Sequence, residues 1–119
     1  MSNIQIPDKG LILLPNWAEL ILNGLKTWEI RSSNTKKRGR IAVIASKTGK
    51  IFGEVNLVDS FPLTEELYKN NLLRHRINCQ YSDLPPNYRW VWQLANPVIY
   101  KTPIPYTHPQ GAVIWVNLK

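Results

Sequence analysis

Apolar residues in this chain come in short clusters, and their spacing alternates between that of strands and that of helices. Leu11 to Leu14 is a continuous apolar run stopped by Pro15, which predicts a buried strand. Asn16 then stands where a helix N-cap belongs, and Glu19, three residues on, is placed to reach back to the cap's N–H. Trp17, Leu20 and Ile21 share one helical face, which predicts core packing for Trp17, and Gly24 is placed to end the helix in a left-handed conformation. The predicted helix covers 16–23. Lys26 to Ser32 reads as a strand with Trp28 and Ile30 on one face and Thr27, Glu29 and Arg31 on the other. Residues 33–39 are polar and basic and predict a loop.

Ile41 to Ala45 predicts a strand buried on both faces, Thr48-Gly49-Lys50 a turn, and Phe52 to Asp59 a further strand. Thr64 is placed to cap a second helix running to about Arg76. Glu65 and Glu66 in its first turn, and Arg74, His75 and Arg76 in its last, complement the helix dipole. Residues 77–88 read as irregular. Trp90 to Leu94 predicts a strand whose two tryptophans share one face, as core or as stacking surface for a base. Pro97, Pro103, Pro105 and Pro109 break the following stretch into short extended pieces, and Ala112 to Leu118 predicts a last strand. Strict βαβ alternation is absent. The pattern predicts an α+β domain, a small and mostly antiparallel β-barrel with two flanking helices.

Length adds that residues 1–119 form a single domain, large enough to bury a core without disulfides or metal. Charge changes the picture more. Fifteen Lys and Arg against eight Asp and Glu give a net charge of +7, and the excess is spread over both halves of the chain. A domain that is basic throughout favours polyanionic partners: RNA, DNA or, less well, anionic lipid. Cys79 is the only cysteine, and His75 and His108 lie far apart, so the expectation is no disulfide framework, no metal site and no cofactor. No apolar run is long enough to span a bilayer and the N-terminus lacks a signal core, so a cytoplasmic, monomeric protein without a membrane partner is expected.

The candidate chemistry concentrates at 24–40. Glu29 and Arg31 on one strand face stand roughly 7 Å apart by strand rise, close enough to bracket a small polar ligand. With Lys26 they supply a base, a cation and a bidentate fork. The same spacing also suits an ion-pair network on a solvated strand face. Ser33, Thr35, Lys36, Lys37, Arg38 and Arg40 are candidate phosphate contacts, although a solvated loop has the same composition. Tyr81 and Tyr88 could assist chemistry, and Tyr106 and His108 could rim a cleft.

Pro15 to Gly24, followed by Lys26-Thr27-Trp28-Glu29-Ile30-Arg31-Ser32, resembles the ASCH domain (activating signal cointegrator homology). Gly24, Lys26, Glu29 and Arg31 match each position of that family's Gly-x-Lys-x-x-Glu-x-Arg pattern. Arg38-Gly39-Arg40 resembles the cointegrator-type branch. Trp90 to Leu94, Asn96-Pro97, and Gly111 before Trp115 resemble the closing strands. The resemblance implies a PUA-like barrel with a cleft beside the Lys/Glu/Arg motif, and it implies binding of nucleic acid, RNA first. It also leaves enzymatic readings open. In a metal-independent ribonuclease, Glu29 would serve as base, with Lys26 and Arg31 stabilising phosphorane charge. An N4-acetylcytidine amidohydrolase would need a Thr three residues after the Lys. Glu29 stands there instead, Thr27 is only one residue on, and Glu65 and Glu66 lie too early to supply that branch's Glu. A protein-interaction role is a further alternative.

Overall fold

The computed structural model describes residues 5–119. Strand β1 (Lys9–Leu13) leads into helix α1 (Pro15–Leu22), β2 (Trp28–Arg31), β3 (Gly39–Ala45) and β4 (Lys50–Pro62). Two short helices follow, α2 (Glu65–Asn70) and α3 (Leu72–His75), then a single 3-10 turn at Tyr81–Asp83, β5 (Trp90–Pro105) and β6 (Trp115–Asn117). One curled six-stranded sheet runs in the order β2-β5-β4-β3-β1-β6. Only β1 and β3 pair in parallel; the other ladders are antiparallel. The curl brings Trp92 of β5 and Trp115 of β6 into a stack with ring centroids 5.6 Å apart, although β3, β4 and β1 lie between their strands in the sheet. This is the expected α+β, PUA-like half-barrel.

Strand β3 is buried on both faces, as its unbroken apolar run predicts. Ile41, Val43 and Ala45 join the core under α1 with Leu11, Leu13, Ile21, Leu57 and Trp92. Ala42 and Ile44 face a second core with Ile51, Tyr100 and Val116. Gly53 shows how closely the layers approach. A Cβ there would lie 2.3 Å from the Val98 carbonyl oxygen and 2.7 Å from Leu22 Cδ2.

Several boundaries differ from the sequence pattern. Asn16 does not cap α1. The helix starts at Pro15 and its cap position is Leu14, with no side-chain cap bond. Proline at the first helical position has a preset φ and no N–H to satisfy, so the cap is dispensable. Gly24 does end the helix, at φ +77°. The strand expected over Lys26–Ser32 shortens to β2, because the Lys26 N–H turns back to the Leu20 carbonyl at 3.1 Å. Thr64 caps the second helix, its side chain accepting from the Leu67 N–H. That helix breaks at Asn71, whose Nδ2 donates to the Leu67 carbonyl at 2.8 Å and whose backbone leaves the helical region.

The largest difference is in the Pro-rich stretch, which forms one continuous sixteen-residue strand rather than short pieces. Its ladder to β4 slips between Glu54 and Asn56, where Asn96-Pro97 bulges out, and again between Ile51 and Gly53, opposite residues 100–103. Pro97 and Pro103 thus sit at irregularities where no ladder N–H is required. At the other end the last strand shrinks from Ala112–Leu118 to Trp115–Asn117.

Candidate functional site

The turn after α1 and the first residues of β2 place three charges side by side. Lys26 is 1% exposed, and its Nζ donates to the main-chain carbonyl of His75 at 2.5 Å. The same ammonium lies 3.7 Å from Glu29 Oε1 and 4.5 Å above the Trp17 ring. Glu29 Oε2 accepts from Arg31 Nε at 2.8 Å. Arg31 also donates through Nη2 to the Ile12 carbonyl at 2.9 Å, and its guanidinium lies 5.6 Å from the Trp92 ring. The pairing is therefore direct and needs no bridging group.

The carbonyl that holds Lys26 is itself held. The His75 ring stacks on Tyr68 with centroids 4.2 Å apart. His75 Nδ1 accepts from the Ile77 N–H at 3.0 Å, so the neutral ring carries its proton on Nε2, which donates to the Tyr68 carbonyl at 2.8 Å. Burial, more than the nearby Lys26 charge, pushes His75 below the usual imidazole range, in keeping with that neutral ring.

Burial also pulls the Lys26 ammonium down to about 8. Glu29 opposes the shift and the Arg31 charge adds to it. Taking an ammonium and a carboxylate out of water costs several kcal/mol per ion in general, which their mutual attraction only partly offsets. Lys26, Glu29 and Arg31 nevertheless line an open cleft of about 380 Å³. Its walls come from Ile12, Leu14, Trp17, Ile30, Tyr88 and Val113. The arrangement is one of apolar and aromatic walls around a small convergent polar set, the usual form of a small-ligand site. Among the described residues no group of three or more His, Cys, Asp and Glu converges to hold a metal.

The profile of the ASCH domain matches residues 11–103, most of the chain. The chain belongs to the ASCH domain family. Among solved structures, it is similar to a serine-to-alanine mutant of the ASCH protein from Zymomonas mobilis. The identity is 20% and the TM-score 0.72, over 96% of this chain and 92% of that one. The unmutated Zymomonas mobilis ASCH structure gives 16% identity and a TM-score of 0.69, over 93% and 87% of the two chains. No curated protein matches the chain significantly. The structural likeness extends the ASCH fold to nearly the whole molecule.

Within this ASCH domain the remaining candidates lie elsewhere. None of Ser33, Thr35, Lys36, Lys37, Arg38 and Arg40 lines the Lys26 cleft. The loop that starts one residue after Arg31 is pinned across the sheet. The Ser33 carbonyl accepts from Trp92 Nε1 at 2.9 Å, and the Thr35 N–H donates to Ser60 Oγ at 3.3 Å. Arg38 donates to the Thr35 carbonyl at 2.9 Å and lies 3.7 Å from Asp59. Lys36 is exposed. Lys37 and Arg40 line a separate depression with Asp8, Glu54 and Lys119, where Arg40 Nε donates to Glu54 Oε2 at 2.7 Å. Tyr106 donates to or accepts from His108 Nδ1 at 2.8 Å, away from the cleft.

Trp17 is not core but a half-buried cleft wall. On α1 the buried face is Ala18, Ile21 and Leu22, which leaves Trp17 at its margin. The small Ala18 was the available signal, since a helical face set by Ala18 and its i+3 and i+4 neighbours turns Trp17 aside. Trp28 and Trp92 are core, at 6% and 1% exposure, and Trp90 packs half-buried against the same core as Trp92. Tyr88 lines the cleft, whereas Tyr81 lines a neighbouring hollow with Tyr68 and Cys79.

Proposed function

We propose that this ASCH domain, read as one of the cointegrator-type branch, binds RNA. An unpaired base would enter the Lys26–Glu29–Arg31 cleft while the exposed cations of the 33–40 loop attract the phosphate backbone. The observation that carries this reading is a buried lysine and carboxylate held together at the wall of an open cleft. Charged groups with strongly perturbed protonation, set in a cleft, concentrate at functional sites. The net charge of +7 supports it, because counterion release favours binding of a polyanion to a basic surface. Fluorescence anisotropy with labelled single-stranded RNA over a salt series tests it. Affinity falls steadily as salt rises; absence of binding to RNA and DNA at low salt overturns it.

A second reading has its own observation. With its ammonium pulled to about 8, Lys26 keeps a fraction of free amine near neutral pH, beside the Glu29 carboxylate. That pair could move a proton from a ribose 2′-OH, with Arg31 stabilising the developing negative charge. The test is cleavage of labelled RNA in EDTA by the wild type, Lys26→Ala and Glu29→Ala. Undiminished cleavage by both variants removes this site from any such activity.

A further inference from the structure

Three of the residues that wall the cleft are apolar or aromatic and yet face water. Leu14 is 58% exposed, Val113 75%, and Tyr88 is exposed as well. Leu14 and Val113 come from segments that continue one ladder. β1 and β6 pair with Leu11 opposite Trp115, and the Ile12 N–H donates to the Ile114 carbonyl at 2.9 Å, so Val113 follows in register beside the end of β1. Ile114, also exposed, extends the same lip. Tyr88 comes from the other end of the sheet order, two residues ahead of β5, whose first residue pairs with Arg31 of β2.

The lip is tied down on both sides. Val113 stands between two anchored carbonyls, that of Ile114 on Ile12 and that of Ala112, which accepts from His108 Nε2 at 2.9 Å. The Tyr106 hydroxyl holds the other nitrogen of that ring at 2.8 Å. Leu14 is fixed by its own carbonyl, which accepts from the Ala18 N–H at 3.0 Å where α1 begins. Apolar side chains on backbone held this way meet a partner with little ordering cost. In sequence, Lys47 follows Ser46 of the cleft wall and Arg89 follows Tyr88. With the net charge of +7 they favour a polyanion as that partner.

We propose that the cleft takes its base out of a stacked RNA helix, with Leu14 and Val113 as the wedge that fills the gap; this rests on the RNA reading above. When a base sits in the cleft, its neighbours in the strand stand at the mouth. The lip offers them aliphatic carbon, which suits base faces and not phosphates. Two base faces are bared together where one nucleotide leaves a stack, and inserted aliphatic side chains hold such a step open. Tyr88, on the facing side, is placed to stack on a flanking base. Extrusion costs unstacking and unpairing, and least where the nucleotide has no partner. The ligand class is therefore an RNA duplex carrying a bulged or mismatched nucleotide.

The test is fluorescence anisotropy at low salt with a labelled RNA duplex bearing one bulged nucleotide, each of the four in turn, the same duplex fully paired, and the single strand. The bulged duplex binds about tenfold more tightly than the paired one, which must also break a pair. It binds about fivefold more tightly than the single strand, the scale of partly burying two aliphatic side chains. 2-Aminopurine placed beside the bulge brightens on binding as its stacking neighbour is replaced by the lip. Leu14→Ser with Val113→Ser is the variant: both sites are exposed, and serine suits the first as a helix cap. In it the ratio of bulged to single-strand affinity falls toward one and the brightening is lost. A single strand bound as tightly as the bulged duplex, or a ratio that survives the double substitution, overturns the wedge while leaving RNA binding intact. No binding of any RNA overturns both.

Discussion

The Arg31 guanidinium and the Ile12 carbonyl, 2.9 Å apart, join strands that stand far from each other in the sheet order. β2 lies at one edge and β1 next to the other, so this bond, with the Glu29 pair beside it, ties the seam of the curled sheet. Arg31→Ala leaves the Glu29 carboxylate, itself 7% exposed, next to Lys26 alone and frees the seam. The expected loss is about 3 kcal/mol in urea unfolding, on the scale of breaking a largely buried pair. Arg31→Lys recovers only part of it, because an ammonium cannot fork between a carboxylate and a carbonyl.

Lys26 makes stability depend on pH in a direction opposite to the common case of a salt-bridged lysine. Its folded value, about 8, lies below the ordinary 10.5. Between those values the unfolded chain binds the proton that the folded chain has released, so stability rises with pH across that window. Above about pH 10 the gain is opposed by Tyr68 and Tyr100, which burial pushes up, Tyr68 to about 12. Urea unfolding of the wild type and Lys26→Met at pH 7.5, 8.5 and 9.5 isolates the lysine. The wild type gains on the variant by about 1–2 kcal/mol over this range, and parallel pH curves would contradict the assignment.

Gly53→Ala places a methyl group where the Val98 carbonyl oxygen and Leu22 Cδ2 already stand. Backbone cannot yield as a flexible side chain does. Thermal unfolding shows a loss of about 2–3 kcal/mol, the scale of overpacking a tight core. The cleft, on the other side of α1, keeps its ligand affinity once the protein is folded.

Lys36→Gln, Lys37→Gln and Arg38→Gln together remove three of the loop's cations without touching the cleft. Affinity for RNA falls and the salt dependence flattens by about one unit of slope per lost phosphate contact, while the ranking of bases stays unchanged. A changed ranking would place the loop at the base rather than at the backbone.

The sequence pattern located the charged trio because its three members are local. Gly24 sets the turn, and Lys26, Glu29 and Arg31 follow within eight positions. What it could not show are the partners that arrive from far away through the main chain. The Ile12 and His75 carbonyls carry no residue-type signature, yet they fix where Arg31 and Lys26 end. The basic run is divided in space for the opposite reason. Lys36 to Arg40 are neighbours in sequence, but Gly39, at φ +97°, turns the chain into β3, and Arg40 is drawn to Glu54 and Asn56 on β4. The prolines at 97 and 103 hid a long strand because its ladder slips where they stand, and Pro105 is the last residue of that strand.

Those prolines have a consequence for how the molecule meets its own copies. β2 pairs with β5 along Trp90–Gln93 and the Leu94 N–H still donates to the Thr27 carbonyl at 2.7 Å, so beyond Leu94 that sixteen-residue strand has no second paired strand among the described residues. Val98 and Ile99 stand exposed there. A flat, fully donating edge of this length would be a template for adding strands from other molecules, the first step toward aggregates. With three N–H groups missing and two bulges twisting the ladder, the edge cannot be continued in register. The residues that interrupt the sequence pattern thus keep an open-sided sheet from growing.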